Sequence, residues 1–360
     1  MDTVRTALIG CGKIGHTHAL SLSQEPQSNF VAVCDAEPER AQSFADEFGV
    51  AAHTNIGAMI DSARIEAVAV STPHPMHAPI VLEAIAHGAH ALVEKPLAAS
   101  LADCDRMINA AQNANRKLAV ISQRRLYQPA QRIRQAIDEG KIGRPVLGVM
   151  MMFNWRDQAY YESDPWRGNW ATEGGGVLVN QAPHQLDLLQ WYMGPIHEVK
   201  AYWGNLNHPY IEVEDTAVAA IRFKNGGLGS LVASNSQKPG IYSKVHIHGD
   251  NGASIGVQTD AGATFVGGMS GIAEPPVTDI WSVPGEENLL ARFQAEDRAA
   301  FVGIDATQYY HALQIEDFLT AILDDRAPMV TGIEGRRSVE LFNAIYRSQE
   351  SGEAIGLPLA

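Results

Sequence analysis

Cysteine is scarce in this chain, with three among 360 residues, at Cys11, Cys34 and Cys104. The three lie far apart and include no Cys-x-x-Cys pair, so they predict neither a disulfide framework nor a zinc site built from thiolates. Such sparing use of cysteine is typical of proteins from a reducing compartment. We therefore expect the protein to be cytoplasmic.

The chain also lacks long apolar runs and clusters of basic residues. No stretch approaches the roughly 18 consecutive apolar residues of a membrane helix, and the first residues lack the apolar core of a signal peptide. Acidic residues outnumber basic ones by 41 to 27, so the net charge is −14. A surface of this sign repels phosphate backbones. These features argue against export, membrane insertion and nucleic-acid binding.

A glycine-rich turn follows the first apolar segment, residues 5–9. Residues 10–15 fit the pattern Gly-x-Gly-x-x-Gly, in which the first glycine permits a tight turn, the second lets a pyrophosphate approach and the third lets a helix pack on the strand. The start of that helix would face the phosphates. The pattern predicts a dinucleotide site that includes Gly10, Gly12, Lys13 and Ile14.

An acidic residue follows the second apolar strand, residues 30–34. Asp35 lies 20 residues beyond Gly15, where a carboxylate can bind the adenosine ribose hydroxyls and repel the 2′-phosphate of NADP. Glu37 adds a second negative charge, whereas Arg40 could accept a phosphate. We therefore predict NAD as the cofactor and keep NADP as the less favoured alternative.

Strand and helix patterns alternate up to residue 121, which predicts a doubly wound parallel sheet with ligands beyond the carboxyl ends of its strands. Two polar segments fall at such ends. We expect them to border the cofactor through Ser71, Thr72, Pro73, His74 and His77 in the first segment and Glu94 and Lys95 in the second. The two histidines are interpreted as a wall of the cofactor loop, and no metal site is predicted.

Lys95 follows an apolar strand, so its side chain is expected near the nicotinamide end of a bound dinucleotide. An ammonium group at that point can polarise a substrate hydroxyl. An ordinary surface lysine is the alternative. Pro96 argues against that alternative because it restricts Lys95 to extended conformations.

Three consecutive glycines, residues 174–176, precede an amphipathic segment that carries Asn180, His184 and Asp187. If the segment is helical, the three polar side chains share one face. A polar stripe with a histidine among apolar residues is either an internally satisfied core or a reaction site. This stretch alone leaves both interpretations open.

Residues 154–176 form a segment that is too long to be a simple connection. Its aromatic side chains alternate with charged and amide groups, a mixture that suits a carbohydrate because aromatic faces stack on sugars while polar groups bind hydroxyls. We expect about half of the aromatics to pack the segment, here called the lid, against the sheet. The expected substrate contacts are Trp155, Arg156, Tyr160, Tyr161, Trp166 and Arg167, with Gln123 and Asn180 from outside the lid.

Taken in order, these motifs resemble the Gfo/Idh/MocA family of sugar and inositol dehydrogenases. The resemblance rests on residues 10–15, Ser71-Thr72-Pro73 with His77, Glu94-Lys95-Pro96, and the three glycines that lead to His184 and Asp187. It implies a Rossmann domain at residues 1–122 and an α+β domain at 123–360 with a large, open, mostly antiparallel sheet. The exposed face of that sheet commonly forms homodimers or homotetramers.

Oxidation of a sugar hydroxyl needs a base for the proton while the hydride leaves to the nicotinamide. His184 is the candidate base, and Lys95 would bind the same oxygen. Many members of the family have an acid four residues before the histidine, where this chain has Asn180, which can bind a hydroxyl but cannot take a proton. Asp187 would either orient His184 or have a structural role, and Pro183 is interpreted as a break or a first-turn residue.

The segments 160–168 and 180–184 look most similar to family members that oxidise C3 of pyranosides, which include levoglucosan dehydrogenase and glycoside 3-dehydrogenases. An inositol dehydrogenase, a keto-sugar reductase or a redox glycosidase of the same family is the nearest alternative. A non-catalytic NAD-sensing regulator is a different class, and the presence of both Lys95 and His184 argues against it. A structural assembly protein would leave the glycine turn unexplained.

Overall fold

The computed structural model describes residues 2–261, 264–266, 269–271 and 274–359. The chain divides into two compact units. The first contains residues 1–123 and 305–339, and the second contains residues 124–304 and 340–360. Among the described residues, no helix combines the length and the apolar character that a bilayer crossing requires.

The first unit contains a six-stranded parallel sheet with the strand order β3-β2-β1-β4-β5-β6. Parallel neighbours need crossover connections, and helices provide them here. The strands are β1 (Val4–Ile9), β2 (Ser28–Cys34), β3 (Ala51–His53), β4 (Ala67–Val70), β5 (His90–Val93) and β6 (Leu118–Val120). The helices are α1 (Lys13–Gln24), α2 (Pro38–Phe48), α3 (Ile56–Ala63), α4 (His77–Ala86) and α5 (Leu101–Asn113).

The second unit is built on an eight-stranded, mostly antiparallel sheet with the order β15-β12-β11-β7-β10-β9-β8-β16. Its helices are α6 (Gln128–Asp138), α7 (Gln158–Glu162), α8 (Pro183–Met193) and α9 (Leu290–Ala300), with a π-helical turn at Val177–Gln181. Its strands are β7 (Pro145–Phe153), β8 (Ile196–Gly204), β9 (Thr216–Phe223), β10 (Leu228–Ser234), β11 (Tyr242–Gly249), β12 (Ser254–Ala261), β15 (Val277–Trp281) and β16 (Ile355–Gly356), and a separate hairpin is formed by β13 (Thr264–Val266) and β14 (Met269–Gly271).

Two faces of this second sheet differ in burial. Residues of β9 alternate between buried and exposed along the strand, and α8 packs on β7 and β11. Alternation with period two is the pattern of a sheet that has one covered face and one open face. The predicted fold class, a doubly wound parallel sheet followed by an α+β region with a mostly antiparallel sheet, is therefore confirmed.

The chain continues into α10 (Ala306–Leu323) and α11 (Gly332–Ser351). Helix α10 packs along α1 and adds Ile315, Phe318 and Leu319 to the hydrophobic core of the first unit. The buried Gln314 side chain donates to the Val120 carbonyl and accepts from the Ser122 amide, at 2.7 and 2.8 Å. The Val120 N–H donates to the Val330 carbonyl at 3.1 Å. The Gln314 amide and this segment together pair backbone groups at the edge of β6 that a further strand would otherwise pair.

Candidate active site

The surroundings of the three glycines in the turn after β1 explain two of them by close packing and one by open space. Gly10 has φ +100°, and a Cβ there would lie 2.9 Å from the backbone of Ser71 and Thr72. A Cβ at Gly15 would overlap the Gly10 carbonyl, whereas one at Gly12 would meet nothing within 4 Å. Two glycines therefore permit close packing, and Gly12 borders open space at the start of α1.

The N-terminus of α1 fits the pyrophosphate of a dinucleotide. Gly12 is the N-cap residue, without a side-chain hydrogen bond, and the first turn contains no acidic residue. The first amides of a helix, here including those of Lys13 and Ile14, have no carbonyl partner within the helix. They can donate to phosphate oxygens, and the helix dipole favours the negative charge.

Asp35 lies directly after β2 and reaches the glycine turn. Its Oδ2 accepts from the Cys11 amide at 2.7 Å and its Oδ1 accepts from the Glu37 amide at 2.9 Å. Two backbone donors thus hold the carboxylate at the carboxyl end of the sheet. Carboxylate oxygens can accept further hydrogen bonds, so the residue fits the ribose hydroxyls for which sequence analysis proposed it.

The segments after β4 and β5 are tied together by His77. Its Nε2 lies 2.9 Å from the Thr72 carbonyl, and its Nδ1 lies 3.1 and 3.2 Å from the carbonyls of Pro96 and Leu97. The ring is buried, and burial lowers the pKa of His77 although the surrounding carbonyls oppose that shift. His77 therefore positions the two predicted cofactor segments, while the Ser71 hydroxyl donates to the Gly10 carbonyl at 2.8 Å.

A buried cluster of His18, Glu94 and His311 lies beside Lys95. The Glu94 Oε1 is 2.8 Å from the His18 Nε2 and 3.3 Å from the His311 Nε2, and the Glu94 Oε2 accepts from the Lys95 amide at 3.1 Å. Burial raises the pKa of Glu94, but the hydrogen bonds from His18 and His311 outweigh burial and hold that pKa well below its usual range. One oxygen of the carboxylate thus faces two imidazoles, and the other faces the backbone N–H of Lys95.

In the second unit, backbone conformation or close packing explains each of the three glycines before Asn180. Gly174 and Gly175 have φ of +77° and +153°. A Cβ at Gly175 would overlap the Tyr346 hydroxyl, and one at Gly176 would overlap the Glu214 carbonyl. The glycines therefore let the chain pass closely over Glu214 and Tyr346.

Glu214 is fully buried at the start of the π-helical turn. Its carboxylate accepts from the amides of Gly176 and Leu178 at 2.8 and 3.0 Å and from the Tyr346 hydroxyl at 2.9 Å. Burial raises the pKa of Glu214 to about 7, although these hydrogen bonds oppose the rise. The side chain satisfies backbone donors that a helix start leaves without partners, so it anchors the segment that leads to His184.

The segment from Asn180 to Asp187 is not one regular helix. The π-helical turn ends at Gln181, Ala182 forms the junction, and Pro183 and His184 lie in the first turn of α8. Pro183 occupies the position where its missing N–H costs nothing, as predicted. π-Helical turns occur often at functional sites.

The polar residues of this segment have different partners. Asn180 donates from Nδ2 to the Glu173 Oε1 at 2.5 Å. Asp187 accepts from the Nε and a terminal nitrogen of Arg125, at 2.7 and 2.6 Å, in a buried bidentate ion pair. Asp187 therefore holds Arg125 in place, and its effect on His184 stays a prediction.

The lid contains both packed and partly exposed aromatic side chains. Tyr160 is buried, and its hydroxyl oxygen accepts from Arg167 at 2.6 Å and from Gln181 at 2.7 Å. The Arg167 guanidinium also lies 4.4 Å from the ring centres of both Tyr160 and Trp166. Tyr160 thus joins the lid to the π-helical turn, and Arg167 holds Trp166 beside it.

The other predicted substrate contacts lie in several places. Trp155 stacks at a tilt on His208, with ring centres 5.4 Å apart, and Tyr161 and Arg156 are buried. The buried Oε1 of Gln123 accepts no hydrogen bond from the described residues. Whether these side chains contact substrate stays a prediction.

Several positioning residues were missed by sequence analysis. His18, His311, Glu173, Gln181, Glu214 and Asn235 each hydrogen bond to a predicted site residue or to its segment. A signal was available for Glu173 and Gln181, because they adjoin the glycines and Asn180. Glu214 and His311 carry no local signal, since their partners are distant in sequence.

Two family descriptions match the chain, one for each part. Residues 4–122 match "Oxidoreductase family, NAD-binding Rossmann fold", and residues 130–255 match "GFO/IDH/MocA C-terminal domain". The chain belongs to the Gfo/Idh/MocA family. It is therefore an oxidoreductase, and its cofactor is NAD, as the sequence predicted.

Similar proteins within this family include dehydrogenases of polyols and sugars. An inositol 2-dehydrogenase from Rubrobacter xylanophilus is 28% identical over 91% of this chain and 93% of its own. A levoglucosan dehydrogenase from Pseudarthrobacter phenanthrenivorans is 27% identical over 71% of this chain and 74% of its own. The crystal structure of the WlbA dehydrogenase from Bordetella pertussis with NADH and UDP-GlcNAcA has a TM-score of 0.84 and 29% identity, and the match covers 99% of this chain and 100% of that one.

Proposed function

We propose that this Gfo/Idh/MocA enzyme oxidises a secondary hydroxyl, at C3, of a pyranoside sugar or glycoside. The observation that carries the proposal is the position of His184 in the first turn of α8, directly after the π-helical turn that holds Asn180. This arrangement joins a titratable imidazole to a hydroxyl-binding amide in one short segment. The named activity of the levoglucosan relative and the sugar nucleotide bound to the WlbA dehydrogenase support a sugar substrate.

In the proposed reaction, His184 takes the proton of the reacting hydroxyl. Lys95 binds the same oxygen and stabilises the negative charge that develops on it. Asn180 binds a neighbouring hydroxyl and so selects which carbon is oxidised. Bound NAD supplies the hydride acceptor at its nicotinamide C4.

The lid would contribute the sugar contacts. We propose that Trp155 and Trp166 provide faces for sugar C–H surfaces, and that Arg156, Arg167 and Gln123 bind hydroxyls. Tyr160 and Tyr161 would support these contacts from inside the lid. The exposed fraction of Trp166 and Arg167 is intermediate, so both can reach a ligand.

An inositol or another cyclic polyol is the second candidate substrate. The match to the inositol 2-dehydrogenase extends over nearly the whole of both chains. A cyclohexane polyol also presents neighbouring secondary hydroxyls, so the same roles of Lys95, Asn180 and His184 would apply.

A panel of substrates distinguishes the two candidates. Pyranosides, anhydrosugars and inositols would be tested with NAD, with NADH formation followed by absorbance. We expect turnover with a pyranoside, a product that NMR identifies as the 3-keto sugar, and a primary isotope effect with the C3-deuterated substrate. Turnover with inositols alone, or an isotope effect at another carbon, would overturn the C3 assignment.

We also propose that the protein is a homodimer or homotetramer that assembles through the open face of the second sheet. That face exposes the apolar side chains of Tyr202, Val218 and Leu228, which are 66%, 41% and 56% exposed. Tyr202 and Val218 are direct neighbours on paired strands. Light scattering after size-exclusion chromatography tests this proposal, and a monomer at micromolar concentration would contradict it.

We also propose that the protein is cytoplasmic. Its three cysteines are free and buried, which is consistent with a reducing compartment.

A further inference from the structure

The buried Glu173 carboxylate makes two short hydrogen bonds within the second unit. It is 1% exposed. Its Oε1 accepts from the Asn180 Nδ2 at 2.5 Å, and its Oε2 accepts from the Gly168 amide at 2.6 Å. Because both partners are donors, the pattern is that of an ionised carboxylate, which can only accept.

This contact determines which way the Asn180 amide points. An amide nitrogen and oxygen are alike in shape, and an isolated asparagine could present either atom to a ligand. With a carboxylate on one side, the nitrogen must face Glu173, so the oxygen faces the opposite side. The backbone holds the residue as well, since the backbone N–H of Asn180 donates to the Gly176 carbonyl at 2.9 Å.

The residue after Asn180 is clamped in a similar way. Gln181 donates to the Tyr160 hydroxyl at 2.7 Å and accepts from the Asn235 amide at 2.8 Å. The π-helical turn is thus held by the lid on one side and by the end of β10 on the other. Asn180 has little freedom to turn away from Glu173.

We infer that Glu173 is a positioning residue that makes Asn180 a dedicated hydrogen-bond acceptor for a substrate hydroxyl. The pair keeps the negative charge one side chain away from the substrate. This inference rests on the proposed function for the identity of the ligand, a sugar or polyol hydroxyl. The orientation of the amide rests on the hydrogen bonds alone.

Other charged and titratable groups surround the pair. Tyr160, Tyr161 and Tyr346 each lie close enough for their pKa to be raised by Glu173, after the larger effect of burial, and Arg156 and Arg167 act on Tyr160 in the opposite direction. These phenols and guanidinium groups do not titrate between pH 5 and 8. Glu214, whose pKa is about 7, does titrate in that range, so its effect must be common to all the variants compared.

The test exchanges the two side chains. Glu173→Gln, Asn180→Asp and the double variant are compared with the wild type. In Asn180→Asp two carboxyl groups lie at hydrogen-bond distance, so one must hold a proton and its pKa rises. In the double variant the new carboxylate at position 180 would accept from the new amide at position 173, whose oxygen would accept from Gly168, and every hydrogen bond is restored with reversed polarity.

We expect Asn180→Asp to change the pH profile of kcat/KM between pH 5 and 8, beyond the pH dependence that the proposed base His184 and the buried Glu214 give to every variant. Glu173→Gln should raise the KM for sugar about tenfold, the effect of one lost hydrogen bond to a charged group, with kcat changed less. The double variant should recover KM relative to Asn180→Asp and lose the added pH dependence. If the increases in KM of the two single variants instead multiplied in the double variant, the two side chains would act independently, and the inference would be overturned.

A readout without substrate separates this inference from the proposed function. Thermal unfolding of Asn180→Asp should lose stability as the pH rises from 5 to 8, because a raised carboxyl pKa stabilises the fold only while the group is protonated. The double variant should not show this loss. Equal pH profiles for the two variants would overturn the pairing even if no sugar were oxidised.

Glu162→Gln is the matched control. Glu162 also belongs to the lid and also accepts from an amide, that of Gln158 at 2.6 Å, but it is exposed. The same substitution there should leave KM, kcat and the pH profile unchanged. A change as large as that of Glu173→Gln would show that any loss of lid charge produces the effect.

Discussion

Lys95 and His184 are supported in different ways. The backbone of Lys95 is held by the residue before it, Glu94, and the following loop is held by His77. The segment of His184 is held by Glu214, which is 38 residues from Gly176 in sequence, and by Tyr346, which is 132 residues from Glu214. The first support is largely local, whereas the second depends on contacts between distant parts of the chain.

The two supports also differ in their electrostatics. Glu94 has a pKa well below its usual range, because the hydrogen bonds from two imidazoles outweigh its burial. Glu214 has a pKa of about 7, because burial dominates and its partners, backbone amides and a phenol, do not offset it. Two buried carboxylates with similar tasks are thus expected to respond to pH in opposite directions.

The largest expected effect is the loss of either proposed catalytic side chain. Lys95→Ala and His184→Ala should each lower kcat by about a thousandfold or more, since proton transfer and charge stabilisation each contribute factors of this order. NAD affinity, measured by fluorescence titration, should change little. Lys224→Ala and His197→Ala remove exposed residues of the same types and should retain activity. Wild-type turnover in either of the first two variants would refute its role.

A smaller effect is expected at Glu94. In Glu94→Gln, the new amide group must face one of three N–H donors, those of His18, His311 and Lys95, and kcat should fall about tenfold. Because the pKa of Glu94 is lower in the folded state than in the unfolded state, its carboxylate stabilises the fold when the pH is above the unfolded pKa. This stabilisation decreases as the pH falls toward the folded pKa. The variant should therefore lose more stability at pH 7 than at pH 4, as measured by thermal unfolding.

Glu83→Gln is the control for this substitution. Glu83 lies in the same unit and accepts from the Gly57 amide at 3.0 Å, but within the described part of the chain it makes no hydrogen bond to the Lys95 segment. The kcat of the Glu83→Gln variant should equal that of the wild type. An equal fall in kcat for both variants would indicate a general loss of folding rather than a specific effect on Lys95.

The smallest effect on activity is expected at Glu214, where pH dependence is the informative measurement. The pKa of Glu214 is raised from about 4.5 in the unfolded chain to about 7 in the folded protein. Its contribution to folding stability is therefore fully present below pH 4.5 and is lost as the pH rises to about 7. This pKa shift corresponds to a loss of roughly 3 kcal/mol in the free energy of unfolding. Glu214→Gln should flatten the stability profile between pH 5 and 8, whereas the exposed Glu212→Gln should leave it unchanged. Parallel profiles for Glu214→Gln and wild type would contradict the assignment.

The local features of the first unit could be predicted from the sequence. A parallel sheet brings the carboxyl ends of its strands to one edge, so the glycine turn, Asp35 and the segment of Lys95 were expected at that edge. The three glycines before Asn180 stand out in the sequence, but glycine is needed there because the chain passes close to Glu214 and Tyr346. No periodic pattern indicates such partners, because close packing between distant segments depends on the three-dimensional path of the chain.

The irregular path of the segment from Asn180 to Asp187 could not be predicted from the spacing of its polar residues. Spacings of four and three residues suggested one helical face for Asn180, His184 and Asp187. A π-helical turn and the break before Pro183 change that register, and they separate the partners of Asn180 and Asp187. The position of Pro183 was the part of this segment that sequence chemistry predicted correctly, because proline has a strict preference for a first turn.

The return of α10 to the first unit affects the order in which the protein can mature during synthesis. Ile315, Phe318 and Leu319 complete the core around Leu8, and Gln314 satisfies the backbone of β6. These residues leave the ribosome only after the whole described sheet of the second unit except β16. Until then the nascent first unit exposes an apolar surface and an open strand edge, so its completion must wait for most of the chain.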